Sequence, residues 1–216
     1  MSRDEKFQIV EGLPAAWTGF DVTPGYYVGT IRGISRLGLP AMLFQDAQSG
    51  FRTLDVRTVG TVTPWPSMAA LSASWDVELA NRMGGAIGRE FKIKGANGLL
   101  GPGVDIARVP SAGRNAESLS GEDGHLGGPL AKEFIRGVQA EGVAAVVKHF
   151  VGNVQERNRE QINVQVDDRT LFEVHYPPFV SAIEGDVASV MCSYVTFAQL
   201  DPEPPCSLFI ASPRTN

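Results

Sequence analysis

Lys148 and His149 stand side by side near the end of an apolar run, Val143-Ala-Ala-Val-Val-Lys-His-Phe150, which reads as a buried strand. A lysine in that place is costly to bury without partners; the plain alternative is that the strand ends there and the amine reaches solvent. Neighbouring side chains on a strand point to opposite faces. For both to serve one site, the backbone must depart from regular strand geometry, for instance through a non-proline cis bond. Asp46 closes a second apolar run, Leu39-Pro-Ala-Met-Leu-Phe-Gln-Asp46, ahead of the loop Ala47-Gln-Ser-Gly-Phe-Arg52. A carboxylate there can accept hydrogen bonds from two vicinal hydroxyls, the geometry that sugars offer, or can simply cap the next turn. Arg114, in Ala112-Gly-Arg-Asn-Ala-Glu117, is a fixed cation beside a carboxylate; on its own it could be a loop salt bridge of small worth.

Other chemistry finds less support. Gly101-Pro-Gly103 has proline where a nucleotide loop needs flexibility, and no third glycine opens a helix. Ser193 lies in no Gly-x-Ser-x-Gly elbow. His125 and His175 read as surface or packing residues. Cys192 and Cys206 fit no zinc spacing, and a disulfide and two free thiols both remain open.

The elements that must position these residues follow from periodicity. Ser2-Arg3-Asp4-Glu5 is a capping-box pattern that starts a short helix. Leu79, Met83, Ile87 and Phe91 recur every four residues, with Ser74 as a cap, Asp76 and Glu78 in the first turn, Lys92 and Lys94 near the end, and Gly95 as a stop. Gly98-Leu-Leu100 is a short apolar step. Leu126, Leu130, Phe134 and Val138 predict a second helix ending near Gly142. A helical stretch from Leu171 to Ile183 is interrupted by Pro177 and Pro178, and Val187 to Tyr194 is the last strand. Strands alternating with amphipathic helices imply a parallel sheet covered by helices. A β/α barrel and an open doubly wound sheet both satisfy that order. Asp46, Lys148, His149 and Tyr194 fall at C-terminal strand ends and Arg114 in the loop after one, which favours the barrel, although an open sheet also binds ligands there.

Composition sets outer bounds. The chain has 216 residues, 43% hydrophobic and 20% charged, with a net charge of -5. It is long enough for one good-sized domain. No face collects Lys and Arg, which argues against nucleic acid. No run approaches the roughly 18 apolar residues of a membrane span, and the charged N-terminus lacks the apolar core of a signal peptide.

Taken in order, the segments form a series: Phe44-Gln-Asp46, Gly50-Phe-Arg52, Gly101-Pro-Gly-Val-Asp-Ile106, Gly113-Arg-Asn-Ala-Glu117 and Ser120-Gly-Glu-Asp123. Val147-Lys-His-Phe150 follows, with Asn153, Gln155, Glu156 and Arg159, and then Ser189-Val-Met-Cys-Ser-Tyr194. This series closely resembles the N-terminal barrel domain of glycoside hydrolase family 3, the β-glucosidase and β-xylosidase type, from about Glu5 to about Tyr194. The fold that the resemblance implies is α/β, a partial (β/α)8 TIM-like barrel with parallel strands, incomplete at the C-terminus. It implies a domain over 1–196 and a divergent Pro-rich tail over 197–216.

The resemblance implies hydrolysis of O-glycosyl bonds by a retaining, exo-acting β-glycosidase. The partner would be a β-linked glucoside, xyloside or oligosaccharide, with no cofactor, no metal, no nucleic acid and no membrane. The residues matching the family's first sugar subsite are Asp46, Arg114, Lys148, His149, Arg159, Met191 and Tyr194. None of the residues present matches the catalytic ones: no Ser-Asp-Trp motif occurs, Val195 follows Tyr194 where asparagine is usual, and the family's general acid lies in a later domain. Gly124-His125 and Val154 are further departures, where Pro-Tyr and Glu are usual. An inactive fragment of poor solubility is therefore expected; a non-catalytic carbohydrate-binding remnant is the alternative. Family members are often secreted, so the compartment stays open, as do sugar preference and oligomeric state.

Overall fold

A computed structural model describes residues 1–11, 26–46, 49–53, 55–197 and 209–210. Among these residues six strands form one sheet: β1 (Gly29–Ile31), β2 (Met42–Gln45), β3 (Gly98–Leu99), β4 (Ala144–Phe150), β6 (Ser189–Cys192) and β8 (Phe209–Ile210), ordered β1-β2-β3-β4-β6-β8. The inner run β2, β3, β4 and β6 is parallel, as the alternating pattern predicts. The two edges differ from that expectation, since β1 pairs antiparallel with β2 and β8 antiparallel with β6. A separate two-stranded parallel sheet joins β5 (Asn163–Val164) to β7 (Thr196–Phe197). The pairing of Cys192 with Cys206 falls outside the described residues, as does most of the Pro-rich tail.

Among the described residues six α-helices accompany the strands: α1 (Arg3–Glu11), α2 (Met68–Ser72), α3 (Val77–Ile93), α4 (Gly124–Ala140), α5 (Asp168–Thr170) and α6 (Pro177–Glu184). In α1 the capping box closes both ways, Glu5 N–H to Ser2 Oγ at 3.2 Å and Ser2 N–H to Glu5 Oε2 at 2.6 Å. The cap of α3 is Asp76 and not Ser74: Asp76 Oδ1 accepts from Leu79 N–H at 2.8 Å. Trp75, at φ 59°, is left-handed and breaks the helical path, so Asp76 is the first residue placed to cap. Pro177 and Pro178 do not interrupt a helix. They occupy the first turn of α6, where no amide hydrogen is needed, after a π-helical turn over Leu171–His175.

The predicted faces of α3 and α4 form the core. Ile87, Phe91, Leu130 and Phe134 are fully buried, with Leu99 from β3 and Val147 from β4. The two helices approach closely through glycines. A Cβ on Gly84 would lie 2.3 Å from the Phe134 carbonyl oxygen, and one on Gly137 would lie 2.1 Å from that of Asn81. Among the described residues no helix is long and apolar enough to cross a membrane.

Candidate functional site

A bulge in β4 makes the site. Val147 pairs with Val190 and Phe150 with Cys192, so β4 carries one residue more than β6 between those pairs. Lys148 and His149 occupy the bulge, and the peptide between them is cis, the kind of departure from strand geometry that a shared site requires. Lys148 is held by its backbone, its N–H donating to Pro102 O at 3.0 Å and its carbonyl accepting from Val104 N–H at 2.8 Å. Its side chain is 4% exposed. The ammonium has two carboxylate neighbours, Asp46 Oδ1 at 3.4 Å and Glu117 Oε2 at 4.0 Å, both long contacts.

Asp46 arrives at the end of β2 through Gln45. That glutamine is fully buried and satisfied locally, donating to Tyr26 O at 2.7 Å and accepting from Asp46 N–H at 3.0 Å. Arg52 closes the loop back, its N–H donating to Asp46 O at 2.7 Å and its guanidinium lying 3.2 Å from Asp46 Oδ2. Phe51 anchors this turn in the core, its ring 5.2 Å from that of Phe91. Asp46 is thus fixed in the backbone while its carboxylate stays partly open to solvent.

Arg114 and His149 meet through a chain of defined donors and acceptors. Arg114 donates to Glu117 by two bonds, Nε to Oε1 at 3.0 Å and Nη2 to Oε2 at 2.8 Å. The same Nη2 lies 3.3 Å from His149 Nε2, and His149 Nδ1 lies 3.1 Å from Asp105 Oδ2. A carboxylate only accepts and a guanidinium only donates, so these partners assign the proton to Nδ1 and leave Nε2 as acceptor. Asp105 also accepts from the backbone N–H of His149 at 2.8 Å and of Gly152 at 3.2 Å. Burial acts to lower the Arg114 pKa, and Glu117, with Glu156 and Asp105 behind it, more than reverses this, leaving it raised.

The remaining residues expected from the sequence lie around this centre. Glu156 links Arg114, at 3.7 Å from Nε, to Arg159, at 3.3 Å from Nη1. Arg159 in turn stacks over the Tyr194 ring, 4.7 Å from its centroid, and Tyr194 is 49% exposed. Met191 lies on β6 between the residues that pair with Val147 and Phe150, beside the bulge. All seven candidates therefore belong to one region, four at its centre and three toward β6 and its rim.

Sequence reasoning missed the groups that hold them. Asp105, Glu117 and Arg52 all sit in segments quoted above, yet none was assigned to the site. Asp105 follows Gly101-Pro-Gly103, where the missing nucleotide-loop features drew attention away from a carboxylate two residues on. Its partner is 44 positions away, a pairing no local pattern carries. The usable signal was weak: a lone acid between Val104 and Ile106, both buried.

Comparison with known proteins gives this geometry a family. A model described as the glycosyl hydrolase family 3 N terminal domain matches residues 26–211. Thermostable beta-glucosidase B of Acetivibrio thermocellus is 40% identical over 169 residues, 74% of this chain and 22% of that protein. Beta-glucosidase cel3A of Pyricularia oryzae is 40% identical over 183 residues, 82% of this chain and 23% of that protein. Among solved structures, beta-glucosidase 3B of Thermotoga neapolitana in complex with alpha-D-glucose superimposes with a TM-score of 0.81 at 34% identity, covering 91% of this chain and 28% of that one. Beta-glucosidase D2-BGL of Chaetomella raphigera gives 0.82 at 37% identity, with 91% and 26% covered. The chain spans about a quarter of the length of the curated relatives it matches. Its fold is the α/β arrangement of these neighbours, a curled half-barrel of mostly parallel strands, so the barrel holds over the open sheet. On the family match and these relatives together, the chain belongs to glycosyl hydrolase family 3, as part of its N-terminal barrel domain.

Proposed function

We propose that these residues hold the terminal sugar of a β-glucoside by its hydroxyls, as the first subsite of a retaining exo-β-glycosidase. The observation that carries this reading is the Lys148–Asp46 pair. A buried ammonium with only long carboxylate contacts, at 3.4 and 4.0 Å, keeps donor capacity for a closer partner. Beside it, a fixed and partly open carboxylate keeps lone pairs free. A vicinal diol bridges such a pair, donating to Asp46 and accepting from Lys148, and charge-assisted bonds of this kind are the strong ones. Arg114 and His149 form the next wall, and Arg159, Met191 and Tyr194 the rim. The relative solved with alpha-D-glucose supports the choice of sugar.

On the same reading, the carboxylates of this site hold and do not attack. Asp105 accepts from two backbone amides and His149, and Glu117 takes both arms of Arg114. Retention needs a free nucleophile and an acid/base group about 5–5.5 Å apart, and neither role suits a group so engaged. The chain is therefore expected to bind glucose and to leave an aryl β-glucoside uncleaved. Both are measurable on the 216-residue protein, by calorimetry and by release of the aryl alcohol. Turnover by the wild-type chain that disappears in Asp46→Ala would contradict the reading that none of these carboxylates attacks.

A further inference from the structure

Four buried polar atoms at the inner end of this region have no partner in the protein. Asn153 is 2% exposed, yet neither its Nδ2 nor its Oδ1 meets a donor or acceptor. Arg114 Nη1 is buried and unpaired, although the Nε and Nη2 of the same guanidinium are engaged. Asn115 Oδ1 is the fourth. All three side chains line one cavity of about 20 Å3, together with Asp105, Ser118 and His149. Buried polar atoms in native proteins are almost always satisfied, by protein or by ordered water. A cavity of this size admits one water and is far too small for a sugar ring.

We propose that this cavity binds a single water molecule between Arg114 and Asn153, and that Asn153 is through it a positioning residue for Arg114. The bonding balances. The water oxygen accepts from Arg114 Nη1 and Asn153 Nδ2, and its two hydrogens go to Asn153 Oδ1 and Asn115 Oδ1, so all four atoms are met within the two to four bonds of a buried water. Nη1 carries two N–H groups, so one remains for a sugar hydroxyl. Glu117 and His149 fix one side of the guanidinium; the water fixes the other. The positioning role rests on the reading of Arg114 as a sugar-binding group, whereas the water site does not.

The test uses the 216-residue protein labelled with 15N. Magnetisation transfer from water to the Asn153 side-chain amide protons is expected in the free protein and in the glucose-saturated one. Asn153→Leu fills the cavity with apolar atoms and is expected to weaken glucose binding about tenfold, the loss of one hydrogen bond to a charged group. Asn153→Ser keeps a hydroxyl for the same water and is expected to bind within about threefold of wild type. Absence of transfer in the free protein overturns the water site. Its loss on adding glucose shows the cavity taking a sugar hydroxyl instead, and overturns it too. Unchanged affinity in Asn153→Leu, or a tenfold loss in Asn153→Ser, overturns the positioning role; the serine variant decides this even if the leucine variant fails to fold. If glucose does not bind at all, the water signal still settles the site, and the failure belongs to the proposed function.

Discussion

At the scale of single residues, the site is a network in which acids orient cations. Lys148→Met keeps the volume of a buried side chain and removes its charge, so glucose affinity is expected to fall about tenfold or more by calorimetry. Asp105→Asn keeps shape but turns one acceptor into a donor facing donors. The three hydrogen bonds it now accepts cannot all survive, and urea titration is expected to show a loss of about 1–3 kcal/mol. His175 supplies a pH prediction. Burial first, and then the charge of Arg108, lower its pKa from the ordinary 6.5, with Asp105 pulling weakly the other way. The folded state therefore binds this proton less readily than the unfolded state. The contribution of His175 to stability is complete above pH 6.5 and is lost as pH falls through that value toward the folded pKa. In His175→Gln the fall in urea midpoint between about pH 7.5 and pH 5 is expected to be smaller than in wild type. Lys148, His149, Asp46 and Arg114 could be read from the sequence because strand ends and loop cations stand out against apolar runs. Asp105 could not, because its meaning lies in His149, 44 positions away; Glu117 was legible only as the loop partner of Arg114, and its approach to Lys148 was not.

At the scale of elements, periodicity carried the reading where burial is one-sided. The four-residue spacing of α3 and α4 and the apolar run of β4 translate directly into buried faces. The cap of α3 moved from Ser74 to Asp76 because the left-handed Trp75 lies between them, a backbone choice that side-chain spacing does not encode. The antiparallel β1 was missed because three residues, Gly29–Ile31, give too short a pattern to show alternation. The glycines of α3 offer a sharp test of the packing. Gly84→Ala places a Cβ 2.3 Å from the Phe134 carbonyl oxygen and is expected to cost about 1–3 kcal/mol. Gly85→Ala meets only ordinary contact at 3.7 Å and gains helix propensity, so it is expected to stabilise by about 0.5–1 kcal/mol. Thermal melts of the two variants should move in opposite directions; equal shifts would mean that α3 and α4 do not meet as described.

At the scale of the whole molecule, the parallel core and its helices form part of a family 3 N-terminal barrel domain. On α6, Val180 and Ile183, three residues apart, are 52% and 59% exposed, and Phe172 of the preceding π-helical turn is 67% exposed. Neighbouring exposed apolar groups on a helix face promote association, so light scattering is expected to show growth with concentration that Ile183→Lys reduces. The barrel as a class was legible in the order of strands and helices, while its choice over an open sheet came from the strand-end residues and their family series. The central claim, that Asp46 and Lys148 hold a sugar between them, is tested most directly by calorimetric titration of the 216-residue chain with glucose beside Asp46→Ala. Saturable heat in the wild type and none in the folded variant is the predicted result; equal heats in both, or none in a folded wild type, would contradict it.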